Sequence, residues 1–193
     1  QFGDVIMQFE PSGDLETAYV FEEQVFGGSV PKNYFPAVEK GVQEGCEKGP
    51  LAGYPVVGVK AILLDGSYHP VDSSDMAFKT ASNMAFKDAF MKCQPILLEP
   101  IAAVKVTVPD ANTGDIMGDM TKRRGRVLGM ESIGHGKQVI QAEVPMSNLY
   151  GYGTDLRSMT GGTGDYEYSF ARYEQAPGDV QNKIVEENAP QGN

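Results

Sequence analysis

Val5, Met7 and Phe9 alternate with Gln8 and Glu10 over residues 4–10, the period-two pattern of a strand with one face buried. Tyr19, Phe21 and Val25 repeat it over 18–26. The period then changes. Phe35, Val38, Val42 and Cys46 recur at spacings of 3, 4 and 4, a helical stripe that Pro36 can open and Gly49-Pro50 ends. The apolar run PVVGVKAILL at 55–64 predicts a central strand, and DGSYHPVDSS at 65–74 predicts a loop. Ser73 or Ser74 is placed to cap the next helix, with Asp75 near its positive end. Phe78, Ala81, Ala85, Ala89 and Cys93 form its expected buried stripe, with Lys79, Lys87 and Lys92 on the other side. The run PILL at 95–98 reads as a strand closing a unit of order ββαβαβ.

Beyond it, Val104, Val106 and Val108 alternate with Lys105 and Thr107 as a strand. Thr113 can cap a helix carrying Ile116, Met117 and Met120, which ends in Lys122, Arg123, Arg124 and the stop Gly125. Residues 126–133 and 138–144 alternate as strands joined by Gly-His-Gly-Lys, a hairpin signal. Leu149, Tyr152, Leu156 and Met159 mark a helix begun by Ser147, and Tyr166, Tyr168 and Phe170 a last strand. That order, βαββαβ, is the split βαβ of ferredoxin-like domains. The pattern predicts an α+β chain of two domains, 1–98 and 99–178, followed by an unassigned polar tail at 179–193.

Composition changes this picture only in places. The chain has 193 residues, 41 % hydrophobic and 22 % charged, ordinary for a globular protein. A net charge of −10 argues against a generic cationic glove for nucleic acid, though not against docking through local basic patches. Residues 1–98 carry −6 and residues 99–193 carry −4, with all five arginines in the second part. No uncharged apolar run approaches the roughly 18 residues of a membrane span, and no basic-then-apolar leader is present. The chain opens at Gln1, without a methionine, just before a strand, so it is expected to be cut from a larger protein. Cys46 and Cys93 lie outside any CxxC motif, which favours a reduced, cytoplasmic setting with both thiols buried. Two histidines 66 residues apart argue against a zinc site.

Few motifs carry chemistry. Gly134-His135-Gly136-Lys137 fails as a phosphate loop, because Glu131 stands where the first glycine belongs and Gln138 follows the lysine. Gly151-Tyr152-Gly153 lacks the third glycine of a dinucleotide fingerprint. No GxSxG surrounds any serine, so no catalytic residue is proposed. Two features stand out. The loop at 65–74 reads either as a capping turn or as an exposed tip, where Tyr68 and His69 stack on bases and Ser67 bonds a phosphate. The run Lys122, Arg123, Arg124, Arg126 either complements a helix dipole or docks phosphates.

Longer segments say more. GGSVPKNYFPAVEKG, GPLAGYPVVGVKAILLDGSYHPVDSSDMAFK, PILLEPI, TGDIMGDMTKRRGRVLGME and YGYGTDLRSMTGGTGDY resemble the C-terminal third of bacterial translation elongation factor G. The resemblance runs from Gln1 to about Ala176. It implies the family's fourth and fifth domains, meeting near Glu99. The fourth is like the second domain of ribosomal protein S5, with a left-handed crossover against the usual rule, and the fifth is ferredoxin-like. The implied activity is GTP-driven translocation of transfer RNA and messenger RNA on the ribosome. GTP and magnesium belong to the family's preceding GTPase domain, so this chain is expected to hold no cofactor or metal and to hydrolyse no GTP.

The resemblance also implies roles. Gly27, Gly28 and Ser29 in one loop, with Gly66, Ser67, Tyr68 and His69 in another, match the tip that enters the decoding region of the small subunit. Lys122, Arg123, Arg124 and Arg126 are candidate contacts to large-subunit RNA. The sequence departs from the family at Ser29, Pro70, Gly153 and Gly161-Gly162-Thr163. Two parents therefore stay open: the main elongation factor, or a paralog that works with the ribosome recycling factor or displaces an inhibitor. Readings of another class are a stand-alone ferredoxin-like enzyme and a protein-interaction module.

Overall fold

The computed structural model describes residues 1–190, which form two compact units: Gln1–Pro95 with the segment from Asp179 onward, and Ile96–Gly178. In the first unit, β1 (Asp4–Pro11), β2 (Tyr19–Glu23) and β3 (Val59–Ser67) make a sheet of order β1-β3-β2. Strand β3 runs antiparallel to β1 and parallel to β2. Helices α1 (Phe35–Glu47) and α2 (Asp75–Lys92) pack on each other, α1 against β2 and α2 against β1. Alternation delivers Met7, Phe9, Tyr19, Phe21, Val59 and Ala61 to the same core as Val42, Cys46 and Phe86. Toward the C-terminal end of β3, Leu63 joins Val30, Val38 and Phe78.

The helices approach closely because α1 presents two glycines. A Cβ on Gly41 would lie 1.9 Å from Ser82 Oγ and 2.3 Å from the Lys79 carbonyl oxygen, and one on Gly45 would lie 2.4 Å from the Phe86 ring. Asn83 Nδ2 donates to the Gly41 carbonyl at 3.0 Å across the crossing. The buried stripe of α2 is therefore Phe78, Ser82 and Phe86, not the expected alanines, which lie half-buried beside it. Rings fill the sheet side, and Ser82 fits where Gly41 leaves room. Cys93, expected to be buried, is exposed at the C-cap of α2. Cys46 is buried as expected, and burial pushes its thiol up to about 11.

Three boundaries differ from expectation. The central strand begins at Val59 rather than residue 55, because Gly58 interrupts the apolar run at φ 78°. It then continues through Asp65, Gly66 and Ser67, where a loop was expected, since β1 offers Asp4, Val5 and Ile6 as ladder partners. The run PILL closes no sheet. Gln94 turns the chain at φ 54°, Pro95 has no amide to donate, and Leu98 opens β4 (Leu98–Pro109), a strand of the second unit. The first unit is ββαβα up to residue 95.

The second unit has the expected βαββαβ order. Strands β4, β5 (Arg126–Gly134), β6 (Lys137–Pro145) and β7 (Asp165–Gln175) form an antiparallel sheet of order β5-β6-β4-β7. Helices α3 (Thr113–Lys122) and α4 (Tyr152–Thr160) bury Ile116, Met120, Tyr152 and Leu156 against Val104, Val106, Ile140 and Ala142. His135 and Gly136, at φ 57° and 71°, form the two-residue hairpin turn. The expected caps are absent. The chain enters α3 through a 3-10 turn at Asp110–Asn112, leaving the Thr113 hydroxyl shielded and unpartnered. Ser147 lies in a 3-10 turn, Met146–Leu149, and α4 starts after Gly151 at φ 72°. The polar tail at 179–193 contains most of α5 (Gly178–Glu187), where Val180 and Ile184 half-bury one side; residues 191–193 lie outside the described residues. No helix among the described residues is long and apolar enough to cross a membrane.

Candidate nucleic-acid interface

Because β2 and β3 are parallel and each leads into a helix, segments 24–34 and 68–74 leave the sheet at one end, where β1 begins. The structure thus gathers Gly27, Gly28 and Ser29 with Gly66, Ser67, Tyr68 and His69. Gly27 and Gly28 turn at φ 70° and 69°, conformations that favour glycine. Val30, 1 % exposed, anchors that loop on Gly66. A Cβ at Gly66 would meet the Asp4 carbonyl oxygen at 2.2 Å and Val30 at 2.7 Å, so the backbone packs there as only glycine permits. The Ser29 hydroxyl, shielded from solvent, reaches no partner at full hydrogen-bond geometry. It is nevertheless the leading influence holding the Asp65 carboxyl below its ordinary value, followed by the Gly66 backbone. Ser67 Oγ donates to Asp4 Oδ2 at 3.0 Å, so this expected phosphate ligand already has an internal partner.

His69 lies in a loop closed on itself. Its amide donates to Ser73 Oγ at 2.9 Å, and the Ser73 amide donates to the His69 carbonyl at 3.0 Å. Ser74 Oγ accepts from the Ala77 amide, the expected cap of α2. One face of the imidazole is covered by Phe2, with ring centroids 4.1 Å apart, so only the other face is open for stacking. Tyr68 is half-exposed. Two side chains overlooked in the sequence stand out further: Phe26 is 92 % and Val71 91 % exposed. Phe26 directly precedes Gly27-Gly28, a signal that was available. The segments around this end carry Asp4, Glu23, Asp65, Asp72 and Asp75 against Lys32 and His69, an acidic balance.

The basic run separates into unlike residues. Arg123 caps α3 from within: its guanidinium bonds Asp119 and Asp155, donates to the Asn148 carbonyl at 2.9 Å, and lies 4.8 Å over the Tyr152 ring. Its side chain is only 13 % exposed, the position of a clamp rather than of a phosphate ligand. Arg124 adopts φ 57° and makes a bidentate pair with the buried Glu99 at 2.9 Å on both arms. Gly125 follows it, donating to the Met120 carbonyl at 2.7 Å while Arg124 donates to Thr121. Arg126 shares Glu143 with Arg172, and Arg172 also reaches Glu174. Arg172 first, and then Arg126, hold the Glu143 carboxyl below its ordinary value. Lys122 is exposed on the last turn of α3. Lys122 and Arg126 therefore present most charge outward, while Arg123 and Arg124 turn theirs into the unit. Among the described residues no group of acidic, histidine or cysteine side chains could hold a metal ion.

Comparison with known proteins agrees with the two-unit architecture. Residues 1–94 match the family model for elongation factor G, domain IV, and residues 96–184 match that for the elongation factor G C-terminus. A crystal structure of a protein from Thermus thermophilus superposes with a TM-score of 0.82 at 44 % identity, over 100 % of this chain. The chain spans 28 % of that protein's length. The first unit has the S5 domain 2-like fold and the second the ferredoxin-like fold. With nearly every residue accounted for by two consecutive regions of one family, the chain belongs to the elongation factor G family, of which it carries domain IV and the C-terminal domain.

Proposed function

We propose that this chain is the ribosome-engaging part of a translational GTPase and promotes translocation of transfer RNA and messenger RNA. The observation that carries this reading is the joined loop end of the first unit, where Val30 on Gly66 locks two loops into one projection bearing His69. That projection enters the decoding region and occupies space vacated by transfer RNA, so the return step is blocked. Its work is steric. It needs a fixed shape and a few directed contacts, not an acid–base pair. The acidic surroundings of the loop end suppress indiscriminate adhesion to RNA, leaving His69, Tyr68 and backbone groups to make the contacts. On the second unit, Lys122 and Arg126 are the outward charges suited to large-subunit RNA. GTP and magnesium act in the GTPase domain of the parent.

A second reading, a paralog serving recycling or protection of ribosomes, is favoured by Pro70 in the loop after His69 and by Gly161-Gly162. These glycines end α4 at φ 61° and 85° and place no basic side chain there. Cosedimentation of the chain with ribosomes tests the shared part of both readings, and absence of binding at low salt overturns it. In the protein carrying its GTPase domain, His69→Ala is expected to slow single-turnover translocation. Unchanged translocation, with ribosome splitting by the recycling factor impaired instead, selects the paralog.

A further inference from the structure

We infer that Phe2 is a positioning residue for His69, holding the imidazole in one plane so that a single face and a single ring nitrogen remain available to RNA. The inference rests on the reading of the loop end as the ribosome-engaging surface. Phe2 belongs to neither hydrophobic cluster of the first unit; its ring contact is the imidazole, at a centroid distance of 4.1 Å and an interplanar angle of 29°. That separation is shorter than the usual range for aromatic pairs, so the two rings are in van der Waals contact as a tilted stack.

The backbone on both sides fixes this stack. The Phe2 amide donates to the Asp72 carbonyl at 2.8 Å, and Phe2 bridges Ser73 in parallel. Gly3 follows so tightly that a Cβ there would lie 2.8 Å from the Ala77 carbonyl carbon, which wedges this strand end against the first turn of α2. The loop carrying His69 is closed independently through Ser73. Within the ring, Nδ1 faces the Asp72 carboxylate at 3.9 Å, and Nε2 has no partner among the described residues. An exposed histidine on a loop ordinarily samples several rotamers and loses that freedom on binding. Here the stack has already removed it, so a base can complete a three-ring stack on the open face while Nε2 meets a phosphate or base edge.

The test titrates the 193-residue chain and its variants against ribosomes by cosedimentation, and reads the His69 ring protons by NMR. Phe2→Leu is expected to abolish the ring-current displacement of the His69 protons and weaken binding about two- to tenfold, the range for one aromatic pair. Phe2→Tyr is expected to keep both properties. Added to His69→Ala, Phe2→Leu is expected to weaken binding no further, whereas a role in folding alone would make the two effects add. Circular dichroism confirms that each variant is folded. Phe2→Leu binding like the wild type, while His69→Ala weakens, overturns the positioning role alone. His69→Ala binding like the wild type overturns the ribosomal reading of the loop end and the positioning role with it.

Discussion

The crossing of α1 and α2 makes Gly41 a position where a single methyl group has a calculable effect. In an ordinary helix, Gly→Ala stabilises by about 1 kcal/mol, because alanine loses less backbone freedom on folding. At Gly41 the added carbon would sit 1.9 Å from Ser82 Oγ and 2.3 Å from the Lys79 carbonyl oxygen. Ser82 can rotate only by giving up its bond to the Lys79 carbonyl (3.1 Å), and the carbonyl cannot rotate at all. The helices must move apart by about 1 Å, which loosens Phe86 against Gly45 along the same seam. Overpacking of this kind, backbone shifts included, costs about 1–3 kcal/mol. After subtracting the propensity gain, Gly41→Ala is expected to destabilise the first unit by up to about 2 kcal/mol, a fall in Tm of at most about 8–16 °C by calorimetry. Gly118, mid-helix in α3 with nothing within 4 Å of its absent Cβ, is the internal control. Gly118→Ala is expected to stabilise the second unit by up to about 1 kcal/mol. Adding Ser82→Ala to Gly41→Ala is expected to recover only part of the loss, since the carbonyl contact stays. A Gly41→Ala protein more stable than wild type, or complete rescue by Ser82→Ala, refutes the reasoning.

Other outcomes follow from the same geometry. Gly66→Ala drives a Cβ into the Asp4 carbonyl and is expected to destabilise the first unit and reduce cosedimentation with ribosomes, because the β1–β3 ladder must open at the loop end. Arg124→Gly is expected to be more stable than Arg124→Ala by about 1 kcal/mol in urea unfolding, since alanine retains the left-handed strain and both lose the pair with Glu99. Glu143 is held below its ordinary value in the folded state, so its contribution is complete above the unfolded carboxylate range and is lost as pH falls through the folded value. Urea titrations between about pH 6 and pH 3 are expected to show less acid sensitivity of the second unit in Glu143→Gln.

Local pattern reads correctly where a residue's fate is decided by its own neighbours. Val38, Val42 and Cys46 follow the helical stripe, and Val104, Val106 and Val108 the strand alternation, because each faces a core their spacing already implies. Ser74 caps α2 because both partners lie within one turn. Errors arise where a distant segment decides. Asp65, Gly66 and Ser67 have turn chemistry, yet β1 captures them as strand. Arg123 looks like part of a basic patch, but Asn148 and Asp155, far along the chain, claim it. Gly41 and Gly45 read as poor helix residues until α2 is laid across them. The resemblance brought the Gly27-Gly28-Ser29 loop together with Tyr68 and His69, while Gly66 and Ser67, expected in the latter loop, end β3. That Phe2 covers one face of His69 was not legible, since only the return of β1 beside β3 brings residues 2 and 69 together.

The parallel pairing of β2 and β3 also sets how the first unit carries a load. Ladder hydrogen bonds lie across the strands, so a push along the strand axis from the loop end strains the β1–β3 and β2–β3 bonds together, in shear. A sideways pull on either edge strand would instead part them one at a time, like a zipper. Both turns that project from this end are therefore braced along a single axis and weak across it. In a pulling experiment, the first unit is expected to resist far greater force along β3 than perpendicular to it.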